Sequence, residues 1–304
     1  MRAGVIVNPA ARAGSARSVA PRVAGLLRDA GATVNVVSPA DAEGTAEAVR
    51  RLAALSPDAI MLAGGDGTAG LALAELRGSN VPLGLIPTGT GNDLARTVGL
   101  HELDAEAAAA AVLRGRPRSL DLARATDAGG RQAFFATVLA SGFDSRVNDR
   151  ANRMRWPRGP LRYSVAILIE FLALRTVPFD IDLTRPDGTV HHVREDLLVA
   201  AVGNTRSYGG GIPICPDATP DDGLLDVTLV RSAGRLRLLA LLRKVYAGTH
   251  TGEPEVSTYR VRSVTLRAPG VTGYADGEPM GLLPLRIDVQ PAAVSVFSAA
   301  KPLR

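Results

Sequence analysis

The chain has 304 residues, 46% hydrophobic and 21% charged, ordinary proportions for a folded soluble protein and enough length for two domains. A formal charge of +5 favours acidic partners such as phosphates or anionic lipid, while 4% aromatic content and no basic motif with stacking rings weigh against nucleic acid. The only cysteine, Cys215, excludes an internal disulfide and a cysteine-clustered zinc site, and it suits a reducing cytoplasm.

In chain order, the first part alternates strand and helix. "GVIVN" (4–8) reads as a buried strand, and Val19, Val23, Leu26 and Leu27 mark a helix that Gly31 stops. Residues 33–37 read as a strand, 41–55 as a helix, 58–63 as a strand, 68–77 as a helix and 82–87 as a strand. Continuous apolar strands alternating with helices predict a doubly wound α/β domain on a parallel sheet, over residues 1–120. Beyond Ser119 the texture changes to short strands and tight turns, among them "RPDGTV" (185–190) and "APGVTG" (268–273). "DLLVAAVG", "LLDVTLV", "YRVRSVTLR" and "LRIDV" read as strands of an antiparallel β-sandwich over 121–288, interrupted by helices at 161–175 and 234–248.

No apolar run reaches the roughly 18 to 20 residues that span a bilayer. The longest, "SVAILIEFLAL" (164–174), is broken by Glu170, and the apolar part of "MRAGVIVNP" is too short for a signal peptide.

Two strand–loop–helix units carry the chemistry. Their loops are "GGDGT" (Gly64, Gly65, Asp66, Gly67, Thr68) and "PTGTGND" (87–93, with Thr90, Gly91, Asn92 and Asp93). In a parallel sheet both loops lie at the carboxyl ends of their strands, so neighbouring strands bring them to one rim. Glycine lets a ligand approach the backbone, and exposed amides at helix starts cradle phosphate. Thr68 is placed to cap its helix, and capping is an alternative role for Asp93. Asp66 would repel bare phosphate, so a magnesium–nucleotide complex fits the loop better.

Common nucleotide motifs fail. There is no G-x-x-x-x-G-K-S/T, neither Lys244 nor Lys301 follows a glycine loop, and "GTGNDL" lacks the third glycine of a dinucleotide fingerprint. His191 and His192 are adjacent in a strand, face opposite sides and do not readily share a metal.

The ordered set "VNP" (7–9), "GGDGT", "PTGTGND", "GFD" (142–144), "GNTRSYGGGIPICPDATPDDGLLDVTLV" (203–230) and "DGE" (276–278) resembles the diacylglycerol kinase catalytic family, which includes bacterial lipid kinases and sphingosine kinases. The resemblance implies an ATP site between the two domains and transfer of the γ-phosphoryl group to a lipid hydroxyl, with diacylglycerol as the expected acceptor. It implies nucleotide contacts at Asn8, Pro9, Gly65, Asp66, Gly67, Thr68 and Thr90, with Ser38 beside them, and a return of the segment 289–304 to the first domain. The general base of bacterial members matches Asp276, with Asp66 as the rival, and Glu278 points into the same cleft. A structural magnesium in the second domain maps to the Asp222 carboxylate with backbone oxygens of Thr219 and Leu224.

The sequence departs from the family pattern in three places. Gly70 and Leu71 stand where the glycine loop usually continues with Asn-Glu, "NPAARAGSA" is looser than usual, and the Asn expected before "GFD" is missing, with Thr137 nearby. These bear on nucleotide contacts more than on reaction class. Arg150, Arg153, Arg155, Arg158 and Arg162 surround Trp156 ahead of an apolar helix, and "RLRLLALLRKVY" (235–246) is a second such element. Both suit a cytoplasmic protein touching an anionic membrane surface, with a homodimer left open. Two alternatives stand beside the lipid kinase. One is an NAD kinase-like enzyme for a soluble metabolite, and the other a non-catalytic nucleotide- or lipid-binding protein of the same fold.

Overall fold

The apolar runs of the first part become four parallel strands, three of them buried on both faces and the edge strand partly exposed. These are β1 (Arg2–Val7), β2 (Thr33–Val37), β3 (Ala59–Gly64) and β4 (Leu83–Pro87), hydrogen-bonded in the order β4-β3-β1-β2 in a computed structural model that describes residues 1–8, 15–154, 156 and 160–299. Along β3, Ile60 and Leu62 face one core while Met61 and Ala63 face the other. Helices α2 (Ala42–Ala54) and α3 (Asp66–Leu76) cover the first face, and α1 (Ser15–Asp29) and α5 (Ala105–Arg114) the second. Short α4 (Asp93–Thr97) follows β4. Asp41 caps α2 by accepting the Gly44 amide, and Asp104 caps α5 by accepting that of Ala107. The sequence reading missed α5, although "DAEAAAAAVLR" carries that cap and strong helix formers.

The second part is antiparallel. Its strands are β5 (Pro117–Asp127), β6 (Gln132–Phe135), β7 (Val138–Gly142), β8 (Val177–Thr184), β9 (Val190–Gly203), β10 (Leu225–Arg231), β11 (Val256–Val261), β12 (Ser263–Arg267), β13 (Thr272–Ala275), β14 (Glu278–Leu282) and β15 (Leu285–Phe297). They close around a core that includes Phe135, Phe179, Leu197, Leu229 and Ile287. The chain is thus an α/β domain followed by a β-sandwich domain. "YRVRSVTLR" is two strands rather than one. It splits at Arg262, so that β11 pairs β10 while β12 pairs β8 and β15.

Three helices belong to this part: α6 (Phe143–Arg153), α7 (Pro160–Leu172) and α8 (Arg235–Tyr246). Alternation along the strands sends Leu197, Ala200 and Leu229 into the sandwich and Val138, Leu198 and Val230 to the opposite face. Helix α8 packs Leu238, Leu241 and Val245 on that opposite face. Helix α7 is held differently. Its buried Glu170 takes Arg150 at 2.6 Å and Arg146 at 3.4 Å from α6, a small cluster of Val147, Ala151 and Ala166 packs the pair, and Phe171 reaches the cluster beneath α8. An Arg235 guanidinium N–H donates to the Leu172 carbonyl at 3.2 Å, tying the start of α8 to the end of α7.

Strand β15 joins the two parts. Its first half pairs β12 and β5, while Val296 pairs in parallel with Leu83 of β4. Val294, Val296 and Phe297 are buried in the cores of the first domain.

Candidate active site

The two glycine loops meet backbone to backbone. A Cβ on Gly89 would stand 2.6 Å from the Gly65 Cα, and one on Gly65 would stand 3.2 Å from the Gly89 Cα. Only hydrogens fit between them, which is why both positions are glycine. Asn92, at φ 54°, closes the second loop on itself: its Oδ1 accepts the Gly89 amide at 3.0 Å and its Nδ2 donates to the Gly89 carbonyl at 2.9 Å.

Asp66 lies at the junction. Its Oδ1 accepts the Leu94 amide at 3.0 Å, so the acid of the first loop caps the helix that leaves the second. Burial raises its pKa, and the Leu94 amide opposes the rise. Asp93 does not cap its own helix, a role that the sequence had left open to it. Its carboxylate crosses the cleft and accepts the amides of Gly210 at 2.8 Å and Gly211 at 2.7 Å and the Ser207 hydroxyl at 3.1 Å. Gly209, Gly210 and Gly211 all have positive φ, the conformation that turns successive amides toward one acceptor.

Thr68 is not a cap either. Helix α3 starts two residues earlier than expected, with Gly65 as its N-cap, and the Thr68 hydroxyl accepts from Asn8 Nδ2 at 2.9 Å. Ser38 donates to the Val7 carbonyl at 3.4 Å, beside Asn8. Thr90 and Gly91 face the cleft, with Thr90 exposed. Pro9, Arg155 and Arg158 lie outside the described residues.

Asp276 approaches from the other domain. It occupies the left-handed region at φ 52° and is only 9% exposed. Its carboxylate accepts the Ala136 amide at 2.9 Å, the Thr137 amide at 3.1 Å and the Thr137 hydroxyl at 2.5 Å. Burial pushes its pKa up to about 6 against the pull of the Thr137 hydroxyl, and the nearby charge of Asp66 raises it further.

Gly70 has its reason here. A Cβ at this position would lie 2.6 Å from Asp276 Oδ2. A Cβ on Gly67 would lie 3.2 Å from the Asp276 carbonyl oxygen and 3.5 Å from Glu278 Oε1. The bare face of α3 is where the Asp276 turn docks.

One cavity of about 710 Å³ runs from these loops into the second domain. At its polar end are Gly65, Asp66, Gly67, Thr90, Gly91 and Asp93, and Asp276 and Thr137 stand in its wall. Beyond them Val138, Phe171, Leu198, Ile214, Leu238 and Leu241 line an apolar chamber between the sheet face, α7 and α8. Two acid–phenol pairs interrupt that chamber. Tyr274 donates to Asp149 at 2.5 Å, and burial lifts the Tyr274 hydroxyl to about 12. Asp144, hydrogen-bonded to Tyr208, is lifted by burial to about 6, and its Oδ2 has no partner. The motifs "GFD" and "GNTRSYGGG" marked these segments in the sequence, but not the roles of Asp144, Tyr208 or the Gly210–Gly211 amides in one site, because their elements are remote in the chain.

Asp66, Asp93, Asp144 and Asp276 line this cavity, and no Lys or Arg is among its described lining residues, although the Arg146 charge reaches Asp144. The Asp66 carboxylate together with phosphate oxygens is a donor set that suits magnesium. The turn at Asp222 is different. Asp222 Oδ1 accepts the Leu224 amide at 3.0 Å and Oδ2 is ion-paired with Arg260, in the turn where the family resemblance puts a structural magnesium with Thr219 and Leu224. Among the described residues no three His, Cys, Asp or Glu side chains cluster as a metal site, and no helix is long and apolar enough to cross a membrane.

Residues 2–125 match the diacylglycerol kinase catalytic domain, and residues 137–298 match the YegS C-terminal NAD kinase beta sandwich-like domain. A diacylglycerol kinase of Mycobacterium tuberculosis is 44% identical over 96% of this chain and 93% of its own length. A Yersinia enterocolitica protein named as a YegS-like lipid kinase is 31% identical over 88% of each chain. A crystal structure of a diacylglycerol kinase from Bacillus anthracis superposes with a TM-score of 0.72 over 99% of this chain and 98% of that one, at 20% identity, a likeness of fold alone.

Proposed function

The chain belongs to the diacylglycerol kinase catalytic family of lipid kinases, and on that premise we propose that it transfers the γ-phosphoryl group of ATP to the free hydroxyl of diacylglycerol. The observation that carries this reading is the single cavity that runs from the paired glycine loops, past Asp276, into an apolar chamber. An NAD kinase-like enzyme would need a polar acceptor side, and here the acceptor side is lined mostly by Leu, Ile, Val and Phe, with Asp144, Tyr208 and Tyr274 as its few polar groups.

The first-turn amides of α3, from Asp66 to Thr68, have no acceptor within the helix and hold the phosphates together with Thr90 and Gly91. Magnesium, when bound at Asp66, neutralises the charge that builds on the transferring group. Asp276 takes the proton as the lipid oxygen bonds to the γ-phosphorus and the bond to ADP breaks. With a pKa near 6 it is ionised at neutral pH and still basic enough to accept that proton. Asp66 is the weaker base candidate, because it lies within the phosphate-holding glycine loop at the polar end of the cavity, whereas Asp276 stands in the wall toward the apolar chamber. Asp93 fixes the 209–211 loop against the phosphate end.

The two domains divide near residue 120, with β15 returning to the first, and the nucleotide lies between them. Peripheral membrane contact, on the cytoplasmic side, is supported by Trp156 at 83% exposure, Leu168 at 58% and Leu236 at 84%, on or beside α7 and α8. Incubation with radiolabelled ATP, magnesium and a lipid panel tests the reading. Labelled phosphatidic acid is the expected product, and no labelled lipid from any member would overturn it.

A further inference from the structure

Asp276 sits at the tip of a hairpin on the edge of its sheet. Asp276 and Gly277, at φ 52° and 85°, are the two-residue loop between β13 and β14. Behind that loop the ladder is regular for two residue pairs, Ala275 with Glu278 and Tyr274 with Pro279, and then slips at Gly273. Toward the rest of the sheet β13 pairs with β7 through Tyr274 and Ala275, while β14 forms the edge. Against this short ladder stands a close fit. A Cβ on Gly70 would lie 2.6 Å from Asp276 Oδ2, so the carboxylate seats on α3 without slack. A hairpin of this kind needs a further hold if its tip is to stay in place.

Helix α6 supplies that hold. Ser145, Asp149 and Asn152 recur at i, i+4 and i+7, which places them on one face of the helix. The Ser145 hydroxyl donates to the Thr272 carbonyl at the start of β13. The Tyr274 phenol donates to Asp149 at 2.5 Å and is also hydrogen-bonded to the Asn152 side chain. Helix α6 is anchored in turn, because Arg146 and Arg150 hold Glu170 of α7. Packing alone does not account for the phenol. Phenylalanine would fill the same space without burying a hydroxyl, which is unfavourable to bury unless it is bonded. Tyr274 is buried, lines the cavity and turns its hydroxyl to α6, two residues before the base.

Resting on the reading that Asp276 takes the proton in lipid phosphorylation, we infer that Tyr274 and Asp149 are positioning residues, tying hairpin β13–β14 to α6 so that Asp276 stays seated on α3. Both act through the turn and neither holds the transferring group.

The test is steady-state kinetics with radiolabelled ATP and 1,2-dioleoylglycerol in mixed micelles, each varied in turn. Tyr274→Phe and Asp149→Ala should each lower kcat about 10-fold while KM for both substrates holds. The double variant should also lose about 10-fold rather than about 100-fold, because each change removes the same tie. Asp149→Asn, whose amide oxygen still accepts the phenol proton, should recover most of that loss. Three results would overturn the inference: the parent's kcat in a Tyr274→Phe variant that melts like the parent, a rise in KM for the lipid with kcat kept, or losses that multiply in the double variant.

A second measurement needs no turnover. The gap in urea-melt stability between a chain and its Asp276→Asn counterpart, followed from pH 4 to pH 8, reports the folded pKa of Asp276. Two other titratable groups face the turn, Asp66 of the glycine loop and Glu278 of β14, and both are present in every chain compared. Burial is what lifts the Asp276 carboxyl to about 6, so a slackened hairpin in Tyr274→Phe should bring the midpoint below the parent's. An unmoved midpoint would show that the phenol does not hold the turn. If the parent labels no lipid, the lipid-kinase reading falls, and this second measurement still decides whether the pair fixes Asp276. If Tyr274→Phe does not fold, Asp149→Ala carries the same two readouts.

Discussion

Gly70→Ala is the sharpest probe of the docking between α3 and the Asp276 turn. The added methyl carbon would stand 2.6 Å from Asp276 Oδ2, about 0.7 Å inside the shortest ordinary C···O contacts. The carboxylate must turn away, which takes Oδ2 off the Ala136 amide now 2.9 Å distant. A hydrogen bond to a charged group contributes about 1.5–3 kcal/mol, and replacing a helical glycine with alanine returns about 1 kcal/mol, so the net loss of stability should be about 0.5–2 kcal/mol. The effect on rate should be larger. A base displaced by a large part of an ångström costs on the order of 10- to 100-fold in kcat. KM for ATP should hold, because the loop amides at Gly65 and Gly67 do not move. The assay is steady-state kinetics with ATP varied at saturating lipid, beside a urea melt. A variant with the parent's kcat would refute the claim that Gly70 is glycine in order to seat Asp276.

Asp276 also sets two pH dependences. Activity should rise through pH 6 and level off as the carboxylate ionises; a profile flat from pH 5 to pH 8 would count against it as base. For stability the sign is opposite. The folded pKa lies above the ordinary 3.8, so the folded state holds the proton more tightly and its advantage is lost as pH rises from 3.8 to about 6. Asp276→Asn should therefore abolish turnover while its stability relative to the parent improves by up to about 3 kcal/mol between pH 4 and pH 8 in urea melts; no change in that gap would refute the account. Gly89→Ala pushes backbone against backbone at Gly65 and should raise KM for ATP several-fold and lower the melting temperature, whereas unchanged ATP kinetics would contradict the loop contact. Leu168→Glu with Leu239→Glu should reduce cosedimentation with anionic vesicles while activity on a short-chain soluble acceptor persists, and full retention on vesicles would exclude the α7 and α8 faces.

Much of this site was legible in the sequence because its signals are local. Strand–glycine–helix periodicity located both loops, and their convergence followed from parallel topology. The roles of individual side chains were less legible, because those depend on contacts between remote segments. Thr68 reads as a cap from its position, yet Asn8 claims its hydroxyl and Gly65 begins the helix. Asp93 reads as a capping residue, yet three donors from residues 207–211 converge on it. Gly70 reads as a loss of polar contact until Asp276, more than 200 positions later in the chain, is placed against it. The split at Arg262 was hidden for a related reason: β11 and β12 are both strand-like, and only their different partners separate them.

Strand β15 imposes an order on biosynthesis. The β4 edge of the first sheet is covered by a segment near Val296, translated more than 200 residues after Leu83. Until then the first domain lacks Val294, Val296 and Phe297 from its cores and presents an open strand edge to its surroundings. Residues 117–127 pair early with β6 along one edge, but their other edge waits for residues 285–297. A nascent chain therefore cannot finish its nucleotide domain and move on. Both domains complete late and together, and contacts of such long sequence separation make folding slow and leave it open to capture by chaperones or by other chains.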